Sequence, residues 1–316
     1  MRWRALARAL QALEPESFDL VHIHTPFIAH YAGVRFARKR GIPCVATYHT
    51  FFEEYLHHYV PALPRRIGRG LARAFTRSQC ADVRALVAPS EPLRQVLRDY
   101  GVGTPVHVIP TGLAADRFQC GDGGRFRALA GLAPDRPLVT YVGRVAYEKN
   151  IEFLLRTFVR IRQAVPEALL VIAGEGPARE PLRRLAAQLG LTAAVRFVGY
   201  LDRNTTLLDC YAAATVFVFA SRTETQGLVL LEAFAQGTPV VSTAELGTRS
   251  ILAPACGALI AAERPEPFAA AVVRVLSEPQ LRRTLSEQAR TYARGWSSAS
   301  MAGRLGELYH AVSGKD

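Results

Sequence analysis

Ten short β-branched runs alternate with amphipathic helical stretches. That pattern predicts an α/β chain built on parallel sheets covered on both faces. The size agrees: 316 residues suit two domains, and 49% hydrophobic with 21% charged residues is a globular composition. The polar chemistry agrees as well. Glycines, glutamates and cations follow directly on several of the runs, and open parallel sheets bind ligands beyond the carboxyl ends of their strands.

The elements follow in order. The basic opening, MRWRALARALQAL, reads as a helix rather than a transit peptide, because EPESFDLVHIH follows with three acids and no cleavage-like site. The first strands are FDLVHIHT, IPCVATYHT, ALVAPS and VHVIPTG. A boundary is expected at residues 112–118, GLAADRF, with the glycine-rich CGDGG just after it. Beyond it come PLVTYVG, ALLVIAG, VRFVGY, TVFVFAS, TPVVST and GALIA, with helices such as NIEFLLRTFVRIRQAV and EPLRRLAAQLG between them. The expected organisation is two Rossmann-like domains with a cleft between them: 1–112 joined by a closing helix at 297–316, and 113–296.

Several function classes are excluded. The longest uncharged apolar run near a strand, AAATVFVFA, is far short of the ~20 residues that span a bilayer. Cys44, Cys80, Cys120, Cys210 and Cys256 are scattered, with no CxxC or Cys/His cluster, so they read as reduced thiols of a cytosolic protein without structural zinc. The net charge of +12 is densest in the first third: residues 1–112 hold 15 Lys/Arg against 8 Asp/Glu, and residues 113–316 hold 24 against 19. Such a surface suits an anionic partner. No groove-reading motif supports nucleic acid.

Four strand ends carry the candidate site. In YVGRVAYEKN, Arg144 and Lys149 can clamp a diphosphate and stabilise charge as it leaves. In VIAGEGPARE, Gly174 and Gly176 allow close backbone approach, and Pro177 suits the first turn of a helix. In SRTETQGLVLLEAFA, Glu224 precedes a helix expected to start at about Leu228, and Glu232 lies one turn inside it, within an otherwise apolar run. Both carboxylates can then serve one ligand. A nearly buried carboxylate is costly unless hydrogen-bonded, and sugar hydroxyls are suitable donors. Two structural glutamates binding backbone amides are the alternative. In TYHT, His49 ends a first-domain strand.

E-x7-E from Glu224 to Glu232, the GR…EKN turn, GEGP, VHIHTP and TYHT together resemble the retaining glycosyltransferases of family 4, also called group 1, with the GT-B fold. The resemblance covers nearly the whole chain. It implies that Glu224 holds the donor sugar, Glu232 the ribose, and Arg144 and Lys149 the diphosphate. It implies that the backbone of Thr225, Gln226, Gly227 and Leu228 contacts sugar and phosphate. Gly174 would line the nucleotide pocket, Phe197 and Tyr200 would flank the base, and His49 would sit by the transferred sugar near the acceptor. A nucleotide-sugar donor, retention of configuration, and no cofactor or metal are implied. The ribose would explain why Glu232 is tolerated among apolar neighbours. The family also implies further βα units ahead of FDLVHIH, so the first domain is expected to lack its initial units.

Within the family, TYHTFFEEYLHHYVP and SRTETQGLVLLEA resemble diacylglycerol glucosyltransferases, which implies a lipid acceptor. The residues add an independent argument. In PRRIGRGLARAFTR, Arg65, Arg69, Arg73 and Arg77 recur every four residues with Arg66 beside them, opposite Ile67, Leu71, Ala74 and Phe75. A basic amphipathic helix of this type lies on an anionic membrane surface, here the cytoplasmic face, and Tyr55, His57, His58 and Tyr59 just before it are interfacial residue types. The alternatives are a soluble or polyprenyl-linked glycan acceptor, or a non-catalytic nucleotide-binding paralogue.

Overall fold

The computed structural model describes residues 3–13, 15–49 and 65–314. They form two compact units, Met1–Thr111 with Met301–Asp316, and Gly112–Ser300.

The first unit runs α1 (Trp3–Ala12), β1 (Val21–Ile23), α2 (Ile28–Arg40), β2 (Cys44–Thr47), α3 (Arg65–Ala81), β3 (Ala85–Ala88), α4 (Glu91–Asp99) and β4 (Val106–Val108). Its four strands are parallel in the order β1-β2-β3-β4. Side chains alternate across a strand, so Cys44, Ala46 and Leu86 pack with Val34, Ala72 and Leu93 on one face. Val45, Ala85 and Val87 are left for the other.

Helix α3 does not bury the apolar side that its sequence suggests. It buries a third side, Ala72, Thr76, Gln79 and Cys80, while Ile67 and Leu71 stay 55% and 57% exposed. Small Ala72 and Thr76, one turn apart, are 1% and 0% exposed. Arg66, Arg69, Arg73 and Arg77 are exposed, and the Arg73 guanidinium lies 5.1 Å from the centre of the Tyr100 ring. Phe27 stacks on Phe75 at 5.7 Å and remains 56% exposed. The Arg65 side chain, Tyr55, His57, His58 and Tyr59 lie outside the described residues.

The second unit holds α5 (Gly123–Leu129), β5 (Leu138–Val142), α6 (Ile151–Ala164), β6 (Leu169–Ala173), α7 (Arg179–Gln188), β7 (Val195–Gly199), α8 (Thr206–Ala213), β8 (Val216–Phe219), α9 (Leu228–Ala235), β9 (Val240–Ser242), α10 (Gly247–Leu252), β10 (Ala258–Ile260), α11 (Pro265–Ser277) and α12 (Pro279–Arg294). The sheet is parallel in the order β10-β9-β8-β5-β6-β7. All ten strands among the described residues fall inside the runs read from sequence. Strands β5, β6 and β8 are buried at every position, as a sheet covered on both faces requires. Each fully buried Leu or Phe here contributes roughly 1.5–3 kcal/mol relative to exposure. Chain order reverses between β8 and β5, which makes their carboxyl ends the switch point. One local reading changes: α7 starts at Arg179, and Pro177 stands in the turn ahead of it rather than in its first turn.

The two chain crossings lie side by side within the second unit. The Leu113 N–H donates to the Trp296 carbonyl at 2.7 Å, and the Ser298 N–H to the Leu113 carbonyl at 2.8 Å. Helix α13 (Ser298–Ser313) follows, and its Leu308 and Val312 cover Val45, Ala85 and Val87 of the first sheet. Polar ties fix it there: Arg304 donates to the Val108 carbonyl at 2.7 Å, and Tyr309 reaches His22. Tyr309 Oη lies 2.5 Å from His22 Nδ1, and Thr47 Oγ1 lies 2.7 Å from His22 Nε2. The centre of the His22 ring also lies 4.1 Å from that of His24, with the planes tilted by 33°. Burial, and then the charges of His24 and His49, lower the His22 pKa from 6.5 to about 4. The unfolded chain therefore takes up this proton first as pH falls. Stability is full above about pH 6.5 and falls towards about pH 4, with a slope of up to about 1.4 kcal/mol per pH unit from this residue. Urea denaturation at pH 7.5, 6 and 5 measures that slope, and His22→Gln is expected to flatten it.

Candidate functional site

The strand-end turns of the second unit are packed backbone against backbone. After β5, the Gly143 N–H donates to the Ala173 carbonyl at 3.0 Å, and the Val145 N–H to the Glu175 carbonyl at 2.9 Å. After β6, the Gly174 N–H donates to the Gly199 carbonyl at 2.7 Å, where a bulge between Ile172 and Ala173 brings Gly199 beside Ala173. Gly174 has φ +130°, and a Cβ there would stand 2.0 Å from the Gly143 carbonyl oxygen. Only glycine lets these turns close to that distance. Phe197 is half-buried against the core, and Tyr200, just past the strand, is 71% exposed.

On this shelf the β5 turn carries the two predicted cations. Buried Tyr141 donates from its hydroxyl to the Arg144 carbonyl at 3.1 Å, which fixes the backbone while the Arg144 side chain stays 50% exposed. The Arg144 guanidinium is 3.8 Å from the buried Glu148 carboxylate. Asn150 adopts a left-handed φ of +56°, which asparagine tolerates, and starts α6. Its amide donates to the Ala220 carbonyl and to Glu263 Oε1, and Glu263 in turn binds Arg222. Arg222, beside it, is what holds the Glu263 carboxyl below its usual range.

The β8 turn brings the first glutamate to the β5 turn. Lys149 Nζ donates to Glu224 Oε2 at 2.8 Å, and both side chains are mostly shielded. The Glu224 carbonyl accepts from the Gly247 N–H at 2.8 Å, so α10 holds this loop from behind. Thr225 and Gln226 continue the loop, Gly227 caps α9 with φ +97°, and the helix starts at Leu228 as expected.

Glu232 is 4% exposed, yet it does not depend on a ligand for its hydrogen bonds. Tyr211 Oη donates to Oε2 at 2.9 Å, and Arg203 Nη2 donates to Oε1 at 2.8 Å. The ribose account of its burial is therefore corrected: α8 and the loop before it supply the donors. Among the described residues neither carboxylate is shown accepting from a backbone amide, and each has its own cation. Burial and the Glu232 charge raise the Tyr211 pKa well above 10, so the phenol remains a donor. Arg203 and Tyr211, 29 and 21 residues from Glu232 in the chain, were not singled out in the sequence, and only the otherwise unexplained burial of a carboxylate signals that such partners exist.

His49 belongs to the first unit. Its ring stacks 5.8 Å from His24. The side chain is exposed at its edge, yet protein packed round the ring, and then the charge of His24, lower its pKa. Among the described residues, no three His, Cys, Asp or Glu side chains gather as a metal-ligand set.

The shielding of the two glutamates gives an ordered expectation. Tyr211→Phe leaves a buried carboxylate short of a donor and should cost about 1–3 kcal/mol. Glu224→Gln sits in a part-exposed pair and should cost less than about 1 kcal/mol. Urea denaturation of both variants at pH 7 checks the order.

Comparison with known proteins places this arrangement. Residues 125–292 match the family described as glycosyl transferases group 1, and residues 1–117 match glycosyltransferase family 4. The chain is 32% identical over 245 residues to an alpha-monoglucosyldiacylglycerol synthase of Streptococcus pneumoniae, covering 76% of this chain and 55% of that protein. It is 32% identical over 323 residues to a D-inositol 3-phosphate glycosyltransferase of Frankia alni, covering 97% of this chain and 77% of that protein. The chain thus spans little more than half the length of the first of these relatives. In fold it resembles sucrose-phosphate synthase from Thermosynechococcus elongatus, with TM-score 0.82 and 24% identity over 98% of this chain and 78% of that one. It also resembles Anabaena HepE in complex with UDP, with TM-score 0.79 and 17% identity over 98% and 82%. The two parallel-sheet halves are Rossmann-like and of the GT-B type. With a family match across more than half of its residues and relatives aligned along most of its length, the chain belongs to the group 1 glycosyl transferases.

Proposed function

We propose that this chain is the donor-binding core of a retaining glycosyltransferase that moves a hexose from a UDP-linked sugar to a lipid acceptor at an anionic membrane surface. The observation that carries the reading is the Lys149–Glu224 pair, which joins the two turns at the switch point of a parallel sheet. A diphosphate arriving there competes with Glu224 for Lys149 and finds Arg144 half-exposed on the same turn. Glu224, released from its cation, becomes an acceptor for sugar hydroxyls. Arg144 and Lys149 then hold the negative charge that builds on the departing diphosphate. No metal is called on. Glu232 is assigned to the ribose, with Arg203 yielding or sharing one carboxylate oxygen while Tyr211 keeps the other. Gly174, Thr225 to Leu228, Phe197 and Tyr200 line the nucleotide and sugar in this assignment. His49, kept neutral at physiological pH, is assigned to the acceptor side.

The donor reading draws on HepE, which was solved with UDP and with UDP-glucose. The lipid reading draws on the monoglucosyldiacylglycerol synthases of Streptococcus pneumoniae and Acholeplasma laidlawii. Helix α3 supports it physically: an exposed arginine side stands beside exposed Ile67 and Leu71, with Phe27 exposed nearby against Phe75. No helix among the described residues is long and apolar enough to cross a membrane, so the contact proposed is peripheral. A second reading, transfer to a phosphorylated polyol, is favoured by the D-inositol 3-phosphate glycosyltransferases, which align with this chain over 92% and 97% of its length.

Calorimetry with UDP and GDP tests the donor site. UDP is expected to bind saturably. Lys149→Ala and Glu232→Ala, each first shown to be folded by circular dichroism, should weaken it at least tenfold. No UDP binding by the folded wild-type chain would sink the reading. Co-sedimentation with vesicles containing phosphatidylglycerol tests the membrane surface. Each basic residue near such a surface is worth about 1 kcal/mol, so Arg69→Ala with Arg73→Ala should weaken binding by roughly 30-fold. Glucosyl transfer to diacylglycerol should fall with it. Transfer to D-inositol 3-phosphate, untouched by these variants, would establish the second reading instead.

A further inference from the structure

The amino-terminal edge of the second sheet holds a groove of about 760 Å³ that the donor reading does not use. Its lining includes Pro137, Thr215 and Pro239, which immediately precede β5, β8 and β9. The strand-end turns described above leave from the opposite edge. A five-residue strand separates the two edges by roughly 16 Å.

The groove gathers four arginines, Arg127, Arg282, Arg283 and Arg290, against two carboxylates, Asp135 and Glu287. Among the described residues, no carboxylate lies within 4.0 Å of any of the four guanidiniums. Their bonds go to neutral oxygens. Arg127 donates to the carbonyls of Ala133, Arg136 and Ala213. Arg282 donates from one terminal nitrogen to the carbonyls of Val275 and Leu276, at the end of α11. Arg290 donates to the Gln236 carbonyl at 3.3 Å, and Arg283 only to the Gln280 amide oxygen. A guanidinium carries five N–H donors. Arg282 and Arg290 therefore each keep Nε–H and most of their terminal donors for another acceptor.

The arrangement is built into the backbone. Gly237 lies under Arg290 with φ +74°, and a Cβ there would meet the guanidinium at 2.4–2.8 Å. Ser286 fixes the same glycine by donating to its carbonyl at 2.6 Å. Burial also pulls the Arg127 guanidinium below its ordinary pKa, with Asp135 opposing, as expected of a cation shielded without a close counter-charge. Capping of helix carbonyls accounts for part of each side chain. It does not account for four cations converging on one concavity without a paired carboxylate.

We infer that this groove is a second anion site, which takes a phosphate-bearing small molecule through the guanidiniums of Arg282, Arg283 and Arg290. Planar guanidiniums match phosphate oxygens bidentately, and the net positive lining favours an anion over a sugar alone. The site is independent of the nucleotide-sugar reading, because it lies on the other edge of the sheet.

The test uses the whole chain saturated with UDP, with sodium pyrophosphate and glucose 1-phosphate titrated by calorimetry. One further saturable site is expected, and raising sodium chloride from 50 to 200 mM should weaken it. Arg282→Gln with Arg290→Gln should reduce its affinity at least tenfold and leave UDP binding unchanged. Should that double variant melt early through lost carbonyl bonds, Arg283→Glu, which gives up only the Gln280 contact, should show the same weakening. Tighter binding of the ester identifies a phosphorylated sugar, and equal binding identifies the free anion. Absence of a second saturable site in the wild-type chain, or equal binding by a folded variant, overturns the inference. A chain that binds pyrophosphate in the groove but never binds UDP would keep the groove and remove the donor reading.

Discussion

Strand β5 has to be buried on both faces and paired on both edges, and the candidate site hangs from that requirement. It pairs with β6 on one side and β8 on the other, so the turns that leave these strands have no room to spread. They close backbone on backbone at Gly143 and Gly174, and buried Tyr141 ties the turn down by its carbonyl. What remains free is side-chain chemistry: Arg144 and Lys149 from one turn, Glu224 from the other. A parallel sheet thus converts the need to satisfy its core into a rigid platform for charges at one edge.

The two glutamates of that edge show how charge is kept near an apolar core. Glu232 enters a helix made otherwise of Leu, Val, Ala and Phe, and an unpaired carboxylate there would cost several kcal/mol. Tyr211 and Arg203 remove that cost from two different directions. Glu224 is less buried and is held by a single lysine. The difference suits different duties. A part-shielded pair can be opened by an arriving diphosphate, whereas a carboxylate held by a buried phenol keeps its place whether or not a ligand is present.

The first unit follows the same logic with a different fastening. Its sheet needs a cover for Val45, Ala85 and Val87, and the chain returns from the second unit to supply one in α13. Hydrophobic contact alone would leave that helix free to slide. The Tyr309–His22–Thr47 contact fixes it against the strand end that also carries His24, whose ring stacks on His49. The fastening of α13 within the first unit thereby ends on the imidazoles assigned to the acceptor side.

The alternation of apolar runs was enough to place every strand among the described residues: β5, β6 and β8 are buried on two faces and must be apolar along their length, and outer strands such as β4 and β7 keep enough β-branched positions to read as runs although His107 and Arg196 are exposed. Turn chemistry was enough to place Arg144, Lys149, Gly174, Glu224 and the start of α9 at Leu228, because glycines and charges just past a strand have few other places to go. Which groups would meet was not written locally. Lys149 finds Glu224 from 75 residues away, and Glu232 finds Arg203 and Tyr211 across helices that periodicity describes only one at a time. The buried side of α3 escaped the sequence for a related reason. Its arginines and larger apolar residues define two clear sides, but the packed chain buries small Ala72 and Thr76 instead, with Thr76 Oγ1 3.2 Å from the Tyr48 hydroxyl. The sequence by itself determined the elements, their order and the chemistry at their ends. The tertiary structure decided the pairings, because a buried charge or a helix face is satisfied by whatever the packed chain brings within about 3 Å, and that is a property of the sheet order rather than of any one segment.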